Sequence, residues 1–105
     1  MNNELEFNEL METIARRYSP DKLILFGSRA IGNYNEDSDY DVFVLKSGIE
    51  SKRKLTQELY KLLIDKSISV DFIVETPENY AKINDNPFMI YNEIAKTGKL
   101  IYERE

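Results

Sequence analysis

Apolar residues in this chain recur first at helical spacing and then in short unbroken runs. Phe7, Leu10, Met11, Ile14, Ala15 and Tyr18 lie three and four positions apart, so they form one stripe of a helix over residues 4 to 18. Ser19-Pro20-Asp21 ends it, because proline disfavours helical backbone at the residue before it. Leu23-Ile24-Leu25-Phe26 is a continuous apolar run of strand length and reads as a buried strand. Ser28 can then cap a single helical turn, Arg29 to Ile31, closed by Gly32. Residues 33 to 37 are a polar loop, and Tyr40 to Leu45 is a second strand. Helical spacing returns over residues 51 to 66, with Leu55, Leu59, Leu62 and Leu63 on one face. Val70 to Val74 is a third strand. Thr76-Pro77 and Asn86-Pro87 each read as a cap followed by proline at the first helical position. The last helix carries Ile90, Tyr91, Ile94 and Ala95 and stops at Gly98; Leu100 to Tyr102 is a short final strand at a sheet edge.

This order predicts an α/β (α+β) domain, a mixed sheet of about four strands with flanking helices. A helix joins the second and third strands, so they are expected to run parallel. The first and second are joined by a short turn and are expected to be antiparallel. Those directions carry Gly27-Ser28, Asp39, Asp41 and Asp71 to one end of the sheet.

A chain of 105 residues is expected to form one domain over residues 1–105, without repeats or low-complexity segments. Its net charge of −5 argues against binding nucleic acid directly through bulk electrostatics. A metal-chelated nucleotide or a protein partner remains compatible. Without cysteine there is no disulfide framework. The absence of histidine as well removes Ser-His-Asp chemistry and zinc sites of the usual nitrogen and sulfur type. Any metal must be held by oxygen, which selects magnesium, manganese or calcium. The sequence shows neither a signal peptide nor an apolar run of membrane-spanning length, so a cytoplasmic location without membrane association is expected.

The candidate chemistry lies in Gly27-Ser28, ten intervening residues, and then Asp39-Tyr40-Asp41. Residues two apart on a strand share a face, so Asp39 and Asp41 point together and Tyr40 points away. Asp71 sits inside the apolar run Val70-Asp71-Phe72-Ile73-Val74. Three neighbouring carboxylates repel one another and raise one pKa unless a cation joins them. Two divalent cations bridged by such carboxylates serve in-line phosphoryl displacement. The structural alternative for Asp71 is an ion pair, for example with Arg29. Asp37-x-Asp39-x-Asp41 fails as a calcium loop, because Val42 replaces the glycine and Gly48 the glutamate. Gly27-x4-Gly32 fails as a P-loop, because Asn33-Tyr34 replaces the lysine and hydroxyl residue.

Gly-Ser-Arg-Ala-x-Gly followed by Ser-Asp-x-Asp and a later strand aspartate resembles the minimal nucleotidyltransferase (MNT) branch of the polymerase-β nucleotidyltransferase superfamily. The resemblance covers nearly the whole chain and implies a polymerase-β-like nucleotidyltransferase core. It implies that Asp39 and Asp41 bind two Mg2+ ions, Mn2+ being an alternative. Asp71 would complete the metal set and help deprotonate the attacking hydroxyl. Gly27, Ser28, Arg29 and Ser38 would form the nucleotide-binding motif, with Gly27 and Ser28 on the β- and γ-phosphates of ATP or another nucleoside triphosphate. Many family members carry a second arginine where this chain has Ile31, which puts one phosphate or partner contact in doubt.

Members of this branch are often antitoxins paired with a HEPN-type ribonuclease toxin, and the likeness implies transfer of AMP from ATP to a toxin tyrosine. An acidic chain suits a toxin with a basic RNA-binding surface. A hetero-oligomer with the toxin and a homo-oligomer are both compatible. The alternatives are an antitoxin that acts by binding alone and a transferase for small molecules. Lys52-Arg53-Lys54 reads as a solvated face, or else as a contact to phosphate or an acidic partner. Tyr40 is assigned to packing, and Tyr34 to loop or to stacking on a base.

Overall fold

The computed structural model describes residues 3–35, 38–83 and 90–104. The apolar stripe of the N-terminal segment forms α1 (Asn3–Tyr18), with Glu4 and Glu6 in its first turn and Arg16 and Arg17 in its last, as the helix dipole favours. The chain then runs through β1 (Lys22–Phe26), the one-turn α2 (Ser28–Ile31), β2 (Tyr40–Leu45), α3 (Lys52–Lys61), β3 (Val70–Glu75), α4 (Pro77–Ile83), α5 (Ile90–Thr97) and β4 (Lys99–Glu103).

The four strands form one sheet in the order β3-β2-β1-β4. β1 pairs antiparallel with β2, and β2 pairs parallel with β3, as the connections predict; β4 pairs antiparallel with β1. β2 is buried on both faces: Val42, Phe43 and Val44 have no exposed surface, which is why its sequence is continuously apolar. On one face, Phe7, Leu10, Met11 and Ile14 of α1 and Leu55 and Leu59 of α3 pack against Leu23, Val42, Val44 and Phe72. On the other, Ile94 of α5 closes over Phe26, Phe43 and Leu45, with Tyr80 and Tyr91 against this cluster. β4 is the outer strand expected at one edge, with Leu100 exposed.

Three local expectations change. Gly27, not Ser28, is the N-cap of α2, and no side chain caps it; Gly32 closes the turn in the left-handed conformation as expected. α3 ends at Lys61 instead of residue 66, because the amides of Leu62, Leu63 and Ile64 bond back only three residues and turn the chain toward β3. Leu62 and Leu63 still pack on the core. Lys52 is not simply solvated: its ammonium pairs with buried Glu75 at 3.1 Å. The cap at Thr76 is present, its hydroxyl accepting from the Asn79 amide at 3.2 Å. Asp37 and the Asn86-Pro87 pair lie outside the described residues. Among the described residues no helix is long and apolar enough to cross a membrane.

Candidate active site

Strand register assembles the site. Asp41 is the partner of Phe26 across the antiparallel β1–β2 ladder, which places it beside Gly27, the next residue of the chain. Asp41 is also the partner of Asp71 across the parallel β2–β3 ladder. Paired residues of neighbouring strands share a sheet face, here the face carrying Phe43 and Ile73 and covered by α5. Asp39 lies two residues before Asp41, at the entrance to β2. Gly27, Ser28, Asp39, Asp41 and Asp71 therefore meet at one end of the sheet.

The close approach of β1 to β2 explains the glycine. Gly27 has φ +75°, and a Cβ there would overlap the Asp41 carboxylate. The glycine makes room for Asp41 directly, whatever else approaches the turn. Within α2, the Gly27 carbonyl accepts from the amides of Ala30 at 3.0 Å and Ile31 at 3.3 Å.

Asp39 and Asp71 are exposed and Asp41 is half-buried. Burial holds the Asp41 carboxyl above its ordinary range, and the charges of Asp71, Asp39 and Glu93 push it the same way. Glu93 belongs to α5. Its role here is not readable from its surroundings in sequence, where it is one charge on an amphipathic helix. Among the described residues no three carboxylates stand close enough, as placed, to enclose a metal ion. The donor chemistry nevertheless fits one: all the groups are oxygen acids, and they oppose one another's ionisation at Asp41.

Ser38 and Arg29 build the loop that leads into the site. The Ser38 amide donates to the Asn35 carbonyl at 3.1 Å, and its hydroxyl accepts from the Asn35 amide at 3.1 Å. Arg29 does not take the place beside Asp71 considered from the sequence. Its guanidinium lies over the Tyr40 ring, 3.9 Å from the centroid, and 4.7 Å from that of Tyr34. Tyr40 is in the core, stacked on Phe7, as its alternation with Asp39 and Asp41 predicts. Tyr34 is exposed and carries this arginine on its ring. Ile31, also exposed, adjoins the glycine-serine turn.

Comparison with known proteins agrees with this fold. A family model described as polymerase beta, nucleotidyltransferase matches residues 8–105. Two Methanocaldococcus jannaschii proteins are similar over most of their length. "Putative protein adenylyltransferase MJ0604" is 30% identical over 97% of this chain and 100% of its own. "Putative protein adenylyltransferase MJ0141" is 32% identical over 89% of each. Among solved structures, a nucleotidyltransferase of Sulfolobus solfataricus, itself named as putative, shares the fold with a TM-score of 0.63 at 23% identity, over 93% of this chain and 78% of that one. A toxin–antitoxin structure with AMP-PNP shares it with a TM-score of 0.59 at 19% identity, over 93% and 74%.

Proposed function

The chain belongs to the polymerase beta nucleotidyltransferase family, in its minimal branch, and from that membership we propose that it is an antitoxin transferring AMP from ATP to a tyrosine hydroxyl of a HEPN-type ribonuclease toxin. The observation that carries the transfer chemistry is the double register of Asp41, beside Gly27 on one side and Asp71 on the other. The relatives named as protein adenylyltransferases and the toxin–antitoxin fold neighbour support a protein acceptor and a toxin partner.

Asp39, Asp41 and Asp71 would hold divalent cations, Mg2+ by preference. When bound, these ions would neutralise the triphosphate and stabilise the charge on the attacking and leaving oxygens. Gly27 and Ser28 would seat the β- and γ-phosphates. Asp71, an exposed carboxylate on the outer strand β3, would accept the tyrosine proton. The tyrosine oxygen forms a bond to the α-phosphorus as the bond to pyrophosphate breaks, and pyrophosphate leaves.

The test is incubation with α-labelled ATP, Mg2+ and a HEPN-type partner, which should label the partner. Asp39→Asn or Asp71→Asn should abolish the label; retention by either variant would show that the site lies elsewhere. The exposed Ile31 beside the glycine-serine turn favours a second reading, neutralisation by binding alone. In that case a chain with all three aspartates changed to asparagine would still silence the toxin.

A further inference from the structure

Asp39 follows Ser38 and precedes the first paired residue of β2, so its position depends on what holds the chain at Ser38. Downstream, the Tyr40 amide donates to the Ser69 carbonyl at 3.0 Å. Upstream, the Arg29 side chain fastens Asn35 and Ser38 to α2. Arg29 donates from Nε to the Ser38 carbonyl at 3.0 Å and from a terminal nitrogen to the Asn35 carbonyl at 3.4 Å. We propose that Arg29 is a positioning residue of the transfer site, clamping the loop that presents Asp39 to the turn that follows Gly27-Ser28.

The guanidinium is itself held in place. Phe7 stacks on the Tyr40 ring with centroids 4.0 Å apart and planes 8° from parallel. With that ring face covered, the Arg29 guanidinium, 3.9 Å from the same centroid, occupies the other. α1, β2 and α2 are thus joined through Phe7, Tyr40 and Arg29, and the fork of Arg29 projects from this stack onto two loop carbonyls. Tyr40 and Asp41 alternate along β2, so the stack lies on the opposite sheet face from the Asp41 carboxylate. Arg29 acts on the site through the backbone of Ser38. The function favours arginine: its planar guanidinium can lie flat on a ring while the rigid fork donates to both carbonyls, a geometry that a compact ammonium on a flexible stem does not hold.

This role takes the nucleotidyl-transfer reading of Asp39 as given, and a test in two arms separates the two. The first arm measures amide hydrogen exchange at residues 38–41 in the isolated chain, native and as Arg29→Lys and Arg29→Met. Both variants should exchange about tenfold faster there than the native chain while the α1 amides stay protected, because only the local closure is lost. The second arm measures AMP transfer to the HEPN-type partner. Both variants should lower kcat about tenfold or more, through displacement of Asp39, with KM for ATP changed by less than about threefold. A phosphate contact would behave otherwise: KM for ATP would rise steeply in Arg29→Met, Arg29→Lys would recover it, and exchange would stay native; that outcome overturns the proposal. Native exchange in both variants also overturns it, even if the native chain transfers nothing. Faster exchange with an inactive native chain would uphold the clamp and remove the transfer reading. If Arg29→Met does not fold, Arg29→Lys decides both arms.

Discussion

Gly27 lies so close to Asp41 that a Cβ on the glycine would overlap the aspartate carboxylate. Its backbone, at φ +75° and ψ −159°, occupies a region that essentially only glycine adopts. Gly27→Ala therefore meets strain and collision together. It should lower stability by about 1–3 kcal/mol from the backbone alone. Transfer should be lost even in chains that remain folded, because relief of the overlap displaces Asp41. Chemical denaturation and AMP labelling of a partner check the two effects. A stable, active Gly27→Ala chain would show that β1 and β2 do not approach each other in this way.

Asp41 is half-buried with its carboxyl held above the ordinary range, first by burial and then by Asp71, Asp39 and Glu93. A carboxyl whose pKa rises on folding destabilises the fold wherever it is ionised, and so at neutral pH. Asp41→Asn should raise the melting temperature without metal. With Mg2+ and ATP the native chain should gain more stability than the variant, by linkage to ligand binding. Thermal melts with and without these ligands measure both shifts. Equal ligand-induced shifts would mean that Asp41 holds no cation.

The strand directions were legible because a crossover helix and a short turn each permit one sense of pairing. That was enough to predict the meeting of Gly27, Asp41 and Asp71. The end of α3 was not legible: residues 62 to 66 hold no glycine or proline, and the helix stops because the chain must turn back into β3. Arg29 was read by motif as part of the nucleotide-binding set; the seat of its guanidinium on the Tyr40 ring is a contact between residues eleven apart that spacing does not reveal. Glu75 escaped for a different reason. At the end of an apolar strand a glutamate reads as a solvated terminus, and only tertiary packing shows it to be buried.

Tyr60 protects the outer edge of the sheet at β3. Its hydroxyl accepts from the Phe72 amide at 3.0 Å, and its ring meets Phe72 edge-on with centroids 5.3 Å apart. Tyr60→Phe keeps the ring contact and removes the acceptor. It should cost about 0.5–1.5 kcal/mol, the usual net value of one hydrogen bond. Hydrogen exchange at the Phe72 amide should accelerate, with little change at Val42 on the central strand. Unchanged exchange at Phe72 would assign its protection to something other than the Tyr60 hydroxyl.

Glu75 ties β3 to the helices on both sides of the sheet. It is 2% exposed and accepts from Tyr91 Oη at 2.7 Å, the Thr76 amide at 2.9 Å and Lys52 Nζ at 3.1 Å. Burial works against its charge, but the bonds to Thr76, Tyr91, Asn79 and Lys52 outweigh it and hold the carboxyl below its ordinary 4.5. A carboxyl whose pKa falls on folding adds stability above its unfolded pKa and loses it as pH falls through the folded value. Asp21, lowered from 3.8 with Ser47 and Arg104 beside it, acts in the same direction. Glu75→Gln replaces the charged acceptor by a neutral amide. It should lower stability by about 1.5–3 kcal/mol at neutral pH, the range for hydrogen bonds to a charged group. Urea midpoints followed from pH 7 downward should show a constant gap between native and variant until the ordinary pKa of 4.5 is approached. The gap should then narrow as the native carboxylate is protonated. A gap of the same size well below that pH would mean that packing around Glu75, and not its charge, supplies the stability.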